Sequence, residues 1–350
     1  MKTITRDSNM ELLRIIAMLL VLIVHADFMA LGFPLLEDLQ NAPITTFSRI
    51  YIGALSSVCV NVFVLISGWY GIKLKFKSLF KLIFQTSFFC ILMFVCFAAN
   101  KDLNLILYEC ANILLLRNYW FVRAYILLCL MAPMMNAFVE HASQKDFRHL
   151  LILYFVFQTI FSYMGNDIWY HDGYSPLTFF GLYLLARYLR VYPSHLSSLQ
   201  KKWDMMLFLL TCLLISVISI ILLYYDLGGG RMYNYTSPLL IIASIYLFLY
   251  FTKFELNSKA INWIAKSCFA AYLLHMNPYF VQRWFTELIH HWWLTEPTGL
   301  FLLFTTLYIL ALFAIAILID KIQIALFERI NKLIASPNLN PNTPNLNDNL

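Results

Sequence analysis

Long apolar runs, separated by short polar stretches, divide this chain into segments of similar length. The runs extend for about 17 to 22 residues, and a helix needs about 20 apolar residues to cross the hydrocarbon core of a bilayer. Only helices and closed barrels satisfy all their backbone polar groups in lipid. The pattern therefore predicts an all-α, polytopic membrane bundle of about ten transmembrane helices. The predicted spans are 10–31, 50–70, 79–99, 119–138, 148–164, 176–192, 204–225, 236–252, 261–282 and 299–319, of which the fifth, sixth and eighth are short.

The composition agrees with a membrane protein. Apolar residues make up 61% of the chain and charged residues 13%, whereas about a quarter of the residues in soluble proteins are charged. The mean hydropathy is +0.70. We predict one transmembrane domain over residues 1–335. Residues 336–350 are rich in Asn and Pro and have too little apolar content to fold, which predicts a disordered tail.

The distribution of lysine and arginine predicts the orientation. If the N-terminus lies in the cytoplasm, 18 of the 25 Lys and Arg residues fall on the inner side and 6 on the outer side, with Arg14 inside a span. This bias follows the positive-inside rule. It predicts that both termini are cytoplasmic and that the protein lies in the cell membrane. The basic pI of about 8.8 is then explained by topology, and we expect lipid rather than nucleic acid as a partner.

Cysteine and histidine spacing gives no sign of a metal centre. The seven cysteines are scattered singly and form no Cys-x-x-Cys pair, so neither a zinc site nor a disulfide framework is predicted. His290 and His291 are adjacent and cannot share a helix face.

The first span carries the most informative polar residues. A charge inside a span costs about 2.5–3.5 kcal/mol on insertion scales, so such residues are functional candidates. Arg14 and His25 are 11 residues apart, which places them within about 20° on one helix face and about 16 Å apart along the axis. Glu11 lies one turn before Arg14 and can pair with it. The alternative is structural, with Arg14 extending to the interface and His25 hydrogen-bonded in the bundle.

Four stretches resemble the membrane acyltransferase-3 family. The first is NMELLRIIAMLLVLIVHA, in which ten residues separate an arginine from a histidine. The others are VNVFVLISGWYGIK with its Ser-Gly ending, YWFVRAYILLCLMAPMMN with its Tyr-Trp-Phe start, and SCFAAYLLHMNP with its Tyr-x-x-His pattern. They occur in the order expected for the family, over roughly residues 10–330. The resemblance implies an enzyme that transfers an acyl group, chiefly to envelope sugars, from acyl-coenzyme A.

This resemblance implies a donor site at the inner mouth of the bundle. Acyl-CoA, which we expect to be acetyl-CoA, is polyanionic and cytosolic. The expected donor-binding residues are Arg14, Ser67, Lys73, Lys75 and Lys77. Many family members carry Arg-x-x-Arg after the second helix, where this chain has lysines. Lysine supplies the charge but not the bidentate fork of arginine, and lipid contact is an alternative role for these lysines.

Acyl transfer needs a base for the acceptor hydroxyl and donors for the oxyanion. His25 and Arg14 are the predicted catalytic residues. His25 is the predicted base, because imidazole titrates near neutral pH. His275 is assigned to positioning the acceptor. The expected substrate and oxyanion residues are Asn61, Tyr119, Trp120, Arg123, Tyr272 and His275. The acceptor is expected to be a hydroxyl of an envelope polysaccharide or of its lipid-linked precursor.

Two alternatives from other classes are also compatible with the sequence. A polysaccharide-precursor transporter or polymerase would also have many helices with buried Arg and His, but it needs no cytosolic donor patch aligned with Arg14 and His25. A purely structural membrane subunit would leave the charges within the spans unexplained.

Overall fold

The structure is a computed structural model that describes residues 7–98, 108, 110–113, 115–165, 169–193 and 198–335. These residues form helices and connecting loops, with no β-strand among them. The predicted tail at 336–350 lies outside the described residues. The all-α prediction is confirmed.

The helices follow the apolar runs closely. In chain order they are α1 (Ser8–Val24), α2 (Leu36–Asn41), α3 (Pro43–Ser57), α4 (Cys59–Tyr70), α5 (Phe76–Ala98), α6 (Trp120–His141), α7 (Gln144–Phe157), α8 (Pro176–Val191), α9 (Lys201–Tyr224), α10 (Pro238–Thr252), α11 (Lys259–Ala265), α12 (Ala270–His275), α13 (Pro278–Phe280), α14 (Glu287–Thr295) and α15 (Thr298–Ala335). Wider π-helical turns continue three of them, at His25–Met29, Gln158–Met164 and Val281–Thr286. Short 3₁₀ turns occur at His171–Gly173 and Gly229–Tyr233.

Eight helical stretches in the described part of the chain are long and apolar enough to cross a membrane. They are Ser8–Met29, Pro43–Tyr70, Phe76–Phe97, Trp120–His141, Gln144–Met164, Lys201–Tyr224, Gly229–Thr252 and Thr298–Asn331. Each coincides with one of the predicted spans. Many of their leucines and isoleucines are exposed, such as Leu153 and Ile322, as expected for side chains that contact lipid. The chain is a multi-pass membrane protein.

The remaining two predicted spans are built differently. The sixth is α8, which has 16 residues. The ninth is not one helix but a series of short ones between Lys259 and Thr295. Pro278 lacks a backbone N–H and begins a new helix, and the Asn277 side chain caps it by accepting a hydrogen bond from the Tyr279 backbone N–H at 3.1 Å. The Asn-Pro pair is the sequence signal for this break.

α1 lies at the centre of the bundle. It packs against α3, α4, α10, α11, α12 and α15. Its residues Leu13 and Leu22 are fully buried. The two candidate residues of the first span therefore lie on a helix that six other helices contact.

α4 and α8 approach each other closely at the Ser-Gly pair of the second span. A Cβ built on Gly68 would lie 2.5 Å from the Tyr183 carbonyl oxygen and 2.8 Å from the Cβ of Ala186. Only glycine fits this contact. The close approach holds α4 against α8, and α4 packs in turn against α1.

Candidate functional site

Two facing stripes of side chains, one on α1 and one on α4, line a series of internal cavities. Each stripe lies on one face of its helix, because residues three or four positions apart share a face. On α1 they comprise Arg14, Met18, Val21 and His25, and on α4 they comprise Val60, Phe63 and Ser67. The structure thus places Arg14 and His25 on the same face, as their spacing predicts.

The cavity at the His25 end is small, and we call it the chamber. Its volume is about 30 Å³. Its walls are mostly aromatic and apolar: Met18, Val21, His25, Val60, Phe63, Trp120, Phe121, Tyr174, Tyr235, Phe269 and Tyr272. Trp120 packs edge-on to Tyr174, with ring centroids 4.6 Å apart, and lies 6.3 Å from Tyr235 in a nearly parallel orientation. His25 therefore faces a wall of aromatic rings that carry polar tips.

A larger cavity of about 280 Å³ lies at the Arg14 end, and we call it the vestibule. Phe63, Phe121 and Phe269 line both the vestibule and the chamber, so the two cavities adjoin at these rings. The polar lining of the vestibule comes from Arg14, Ser67, Gln85 and Tyr125. Ser67 and Tyr125 are hydrogen-bonded through their hydroxyls at 3.2 Å.

The vestibule continues into a charged mouth. A third cavity of about 300 Å³ shares Arg14 and Ala265 with the vestibule. Its other lining residues are Lys81, Lys266, Ile324 and Glu328. Arg14 forms an ion pair with Glu11 at 2.9 Å and keeps 33% of its side chain exposed. Three cations thus line one end of a series of cavities that reaches His25 at the other end.

His25 and His275 form a directly hydrogen-bonded pair. Nδ1 of His25 lies 2.8 Å from Nε2 of His275, and Nδ1 of His275 lies 2.6 Å from the Ala271 carbonyl oxygen. A carbonyl only accepts, so Nδ1 of His275 carries a proton, and its Nε2 is the acceptor in the neutral ring. Nδ1 of His25 must then donate. This tautomer, assigned from the hydrogen-bond pattern, leaves the lone pair of His25 on Nε2, to which no described residue is hydrogen-bonded.

The end of α1 is fixed beyond His25. The helix widens into the π-helical turn His25–Met29, a feature that often occurs at functional sites. Asp27 in this turn accepts a hydrogen bond from Nε of Arg49 at 2.7 Å, and Arg49 also donates to the Gly32 carbonyl oxygen at 2.6 Å. The Arg49 guanidinium lies 5.4 Å from the ring centre of Trp293. These contacts restrain the backbone that carries His25.

The predicted donor-binding lysines lie apart from the cavities. Lys73, Lys75 and Lys77 are exposed and line none of the three cavities described above, whereas Arg14 and Ser67 line the vestibule. The lysine that faces the mouth is Lys81, one turn beyond Lys77 on α5. The other lysine at the mouth, Lys266, comes from the turn after α11. It is one of the 18 predicted inner-side cations, but it was not among the predicted donor-binding residues.

The predicted substrate residues separate into two groups. Trp120 and Tyr272 line the chamber. The others do not: Asn61 is fully buried and donates to the Tyr235 carbonyl oxygen at 3.3 Å, Tyr119 donates to the Leu273 carbonyl oxygen at 2.7 Å, and Arg123 is exposed. Asn61 and Tyr119 thus hold the surrounding backbone in place.

His275 also departs from its predicted position beside the acceptor. Its side chain is fully buried, and both ring nitrogens are hydrogen-bonded within the protein, one to His25 and one to Ala271. No ring nitrogen is left for an acceptor.

Several residues of the site have no local signal in the sequence. Tyr174 and Tyr235 lie in loops, where hydrophobic periodicity carries no information. Asp320 is a fully buried carboxylate in the last span, and it accepts a hydrogen bond at 2.6 Å from Gln85, which lines the vestibule. Asp320 lies one residue beyond the last predicted span, 299–319, so the charges within the predicted spans do not include it.

Comparison with known proteins identifies one family. Residues 7–321 match the family model described as an acyltransferase domain. No curated protein and no solved structure matches significantly.

Proposed function

Because this chain belongs to the acyltransferase-3 family, whose model matches most of its length, we propose that it is a membrane O-acyltransferase that uses cytosolic acyl-CoA, with acetyl-CoA as the donor. The acceptor is a hydroxyl of an envelope polysaccharide or of its lipid-linked precursor. The observation that carries this proposal is the series of cavities between the cationic mouth and His25. The family match favours this function over a transporter or polymerase.

The donor enters at the mouth. Its phosphates are bound by Lys81, Lys266 and Arg14, since cations at one mouth match a polyanion and charge-assisted hydrogen bonds are the strong ones. The uncharged pantetheine arm lies in the vestibule, past Ser67 and Tyr125. This arrangement brings the thioester to the phenylalanine rings and its carbonyl carbon to the chamber.

His25 acts as the general base. Its Nε2 takes the proton of the acceptor hydroxyl while the hydroxyl oxygen attacks the thioester carbonyl carbon. The carbon–sulfur bond then breaks, the electron pair leaves on sulfur, and His25 returns its proton to the thiolate. The products are an acyl ester and free coenzyme A, and His25 is neutral again. A base of this kind contributes about 10²–10⁴-fold to the rate.

His275 is a positioning residue in this scheme. By accepting the Nδ1 proton of His25 at 2.8 Å, it holds the ring in the tautomer whose Nε2 is the base. It also stabilises the imidazolium that forms when Nε2 takes a proton. The Ala271 carbonyl oxygen fixes His275 in turn.

The aromatic residues at the chamber suit a sugar acceptor of which only the reacting hydroxyl enters the chamber, because a volume of about 30 Å³ holds no sugar ring. Trp120, Tyr174 and Tyr235 pack against one another at the chamber, and amphipathic rings of this kind combine an apolar body with hydrogen-bonding capacity. Sugars likewise have apolar faces and hydroxyl edges. The oxyanion is stabilised by fixed donors at the chamber, for which Trp120 and Tyr272 are the candidates among the predicted residues.

We expect a direct chemical test of the function in glycan mass spectra. Cells that lack this gene should produce envelope glycan without the base-labile acetyl esters that wild-type cells carry, at unchanged polymer length. Unaltered esters in the deletion strain would contradict the proposal. If the deletion strain instead lost most of the polymer and the remaining polymer kept its acetyl esters, this would indicate a transporter or polymerase.

We propose that the protein lies in the cell membrane with both termini in the cytoplasm. Lys73–Lys81 then lies on the inner side, and residues 165–175 and 283–298 lie on the outer side. The charge distribution supports this orientation. Single cysteines introduced at positions 75 and 172 of a cysteine-free variant should react with a membrane-impermeant thiol reagent in intact cells only at position 172. External labelling at position 75 would overturn the topology.

The choice between the two lysine groups can be tested by charge reversal. Replacing Lys81 and Lys266 with Glu should raise the KM for acyl-CoA about tenfold or more, since a hydrogen bond to a charged group contributes about 1.5–3 kcal/mol. Replacing Lys73 and Lys77 with Glu makes the same change of charge on residues outside the cavities, and its KM should change little. Equal increases in the two double variants would show that general surface charge, rather than the mouth, attracts the donor.

A further inference from the structure

We propose that Phe63, Phe121 and Phe269 form a collar behind which only a two-carbon acyl group fits, so that this enzyme selects acetyl-CoA over longer acyl-CoA donors. The inference rests on the proposed acyl transfer and names the determinant of its donor specificity. It concerns the size of the chamber and the side chains that close it.

The collar lies where the vestibule and the chamber meet. All three phenylalanines line both cavities. Phe121 is the central ring, with its centroid 6.2 Å from that of Phe63 and 6.0 Å from that of Phe269. The three rings come from α4, α6 and the turn before α12, so they narrow the passage from three sides.

The direction of the donor decides which part of it occupies the chamber. The pantetheine arm arrives from the vestibule, and the thioester sulfur is the last atom on that side of the carbonyl carbon. The acyl chain extends from the carbonyl carbon away from the sulfur. When the carbonyl carbon is within reach of an acceptor oxygen held by His25, every further carbon of the acyl chain must therefore lie in the chamber.

The chamber has little room for such carbons. A cavity needs a volume of roughly 10–15 Å³ to hold one water molecule. The chamber, at about 30 Å³, therefore holds about two water molecules. Its apolar walls, Met18, Val21 and Val60, are themselves buried at 1%, 5% and 6% exposure and are held by the packing of the helices that carry them. A methyl group beside the carbonyl fits, whereas each added methylene displaces a packed side chain.

The expected selectivity follows from this lack of space. One methylene in an apolar pocket changes kcat/KM by roughly 10–200-fold. For the purified full-length protein in lipid nanodiscs, with envelope glycan extracted from the deletion strain as acceptor, we expect propionyl-CoA to be poorer than acetyl-CoA by a factor in this range. Butyryl-CoA should be poorer still. The readouts are thiol release and acylated glycan mass.

Two buried valines on one helix provide the matched test. Val60 lines the chamber, whereas Val62 is fully buried but lines neither the chamber nor the vestibule. Val60→Ala should increase the ratio of propionyl to acetyl transfer by about tenfold, because it adds space beside the acyl methyl group. Val62→Ala removes the same atoms elsewhere and should leave the ratio unchanged. Phe63→Leu tests the collar directly and should shift the ratio in the same direction as Val60→Ala.

The outcomes separate the inference from the proposed function. Transfer of acetyl, propionyl and butyryl groups at similar rates by the unchanged protein would overturn the selectivity while leaving acyl transfer intact. Equal shifts in Val60→Ala and Val62→Ala would also overturn it, because the effect would then come from general loosening of the core. No transfer from any donor would overturn the proposed function, and the inference with it.

Discussion

Replacing His25 with glutamine should reduce acyl transfer by at least about 10²-fold, and by up to about 10⁴-fold. The glutamine amide can still donate a hydrogen bond to His275, but it cannot take a proton from the acceptor hydroxyl. His25→Ala should lose as much activity as His25→Gln, because both lack a base at this position. The measurement is glycan acylation in a deletion strain that is complemented with each variant at matched protein level.

A histidine outside the cavities provides the control for this experiment. His291 lies in α14, is exposed and lines none of the three cavities. His291→Gln should retain wild-type acylation and membrane insertion. Near-full acylation by His25→Gln would show that His25 is structural, and the mechanism would then be wrong.

Replacing His275 with leucine should lower kcat by about 10²-fold, the low end of the range for a proton-transfer contribution, while the KM for acyl-CoA stays nearly constant. The leucine removes the acceptor for Nδ1 of His25, so the His25 ring is free to adopt the other tautomer, with its lone pair directed away from the chamber. The effect is smaller than at His25 because the base itself remains. Steady-state kinetics of the purified variant, with donor and acceptor varied separately, would measure it.

A conservative variant distinguishes positioning from simple packing. In His275→Gln the side-chain oxygen can accept the Nδ1 proton of His25, so this variant should recover part of the kcat that His275→Leu loses. Asn136→Ala provides a structural comparison away from the site, since Asn136 donates to the Ile72 carbonyl oxygen at 2.9 Å, accepts from the Tyr183 hydroxyl at 2.7 Å and lines none of the three cavities. It should lower the melting temperature without changing kcat per folded molecule. If kcat and the melting temperature decrease by the same amounts in His275→Gln and His275→Leu, His275 has only a packing role.

The apolar runs were sufficient to predict most of the helices, because hydropathy and helix formation both depend on residues that are close together in the chain. A stretch of about 20 apolar residues has few alternatives to a helix in lipid, and eight of the ten predicted spans correspond to helices of sufficient length and hydropathy. The common face of Arg14 and His25 follows from the helical period alone. The π-helical turn begins only at His25, so the regular α-helix between the two residues preserves the predicted angle.

The hydropathy pattern alone did not predict where the chain departs from regular helix. The ninth predicted span has enough apolar residues for one helix, but the structure divides it between Ala265 and Ala270 and again between His275 and Pro278. These breaks place α12 against α1 as a short separate element. Without them, the Tyr-x-x-His motif would be part of one long helix, and His275 would be positioned by that helix alone.

The sequence by itself determined the membrane class, the positions of most spans and the helix face that carries Arg14 and His25. Only the tertiary structure decided that His25 is hydrogen-bonded to His275, 250 residues away, and that Lys81, among the lysines of residues 73–81, lines the mouth. The physical reason is the range of the interactions. Hydropathy and helical period act between neighbours along the chain, whereas the partner of a side chain on α1 depends on how six helices pack around it and on their rotation about their own axes.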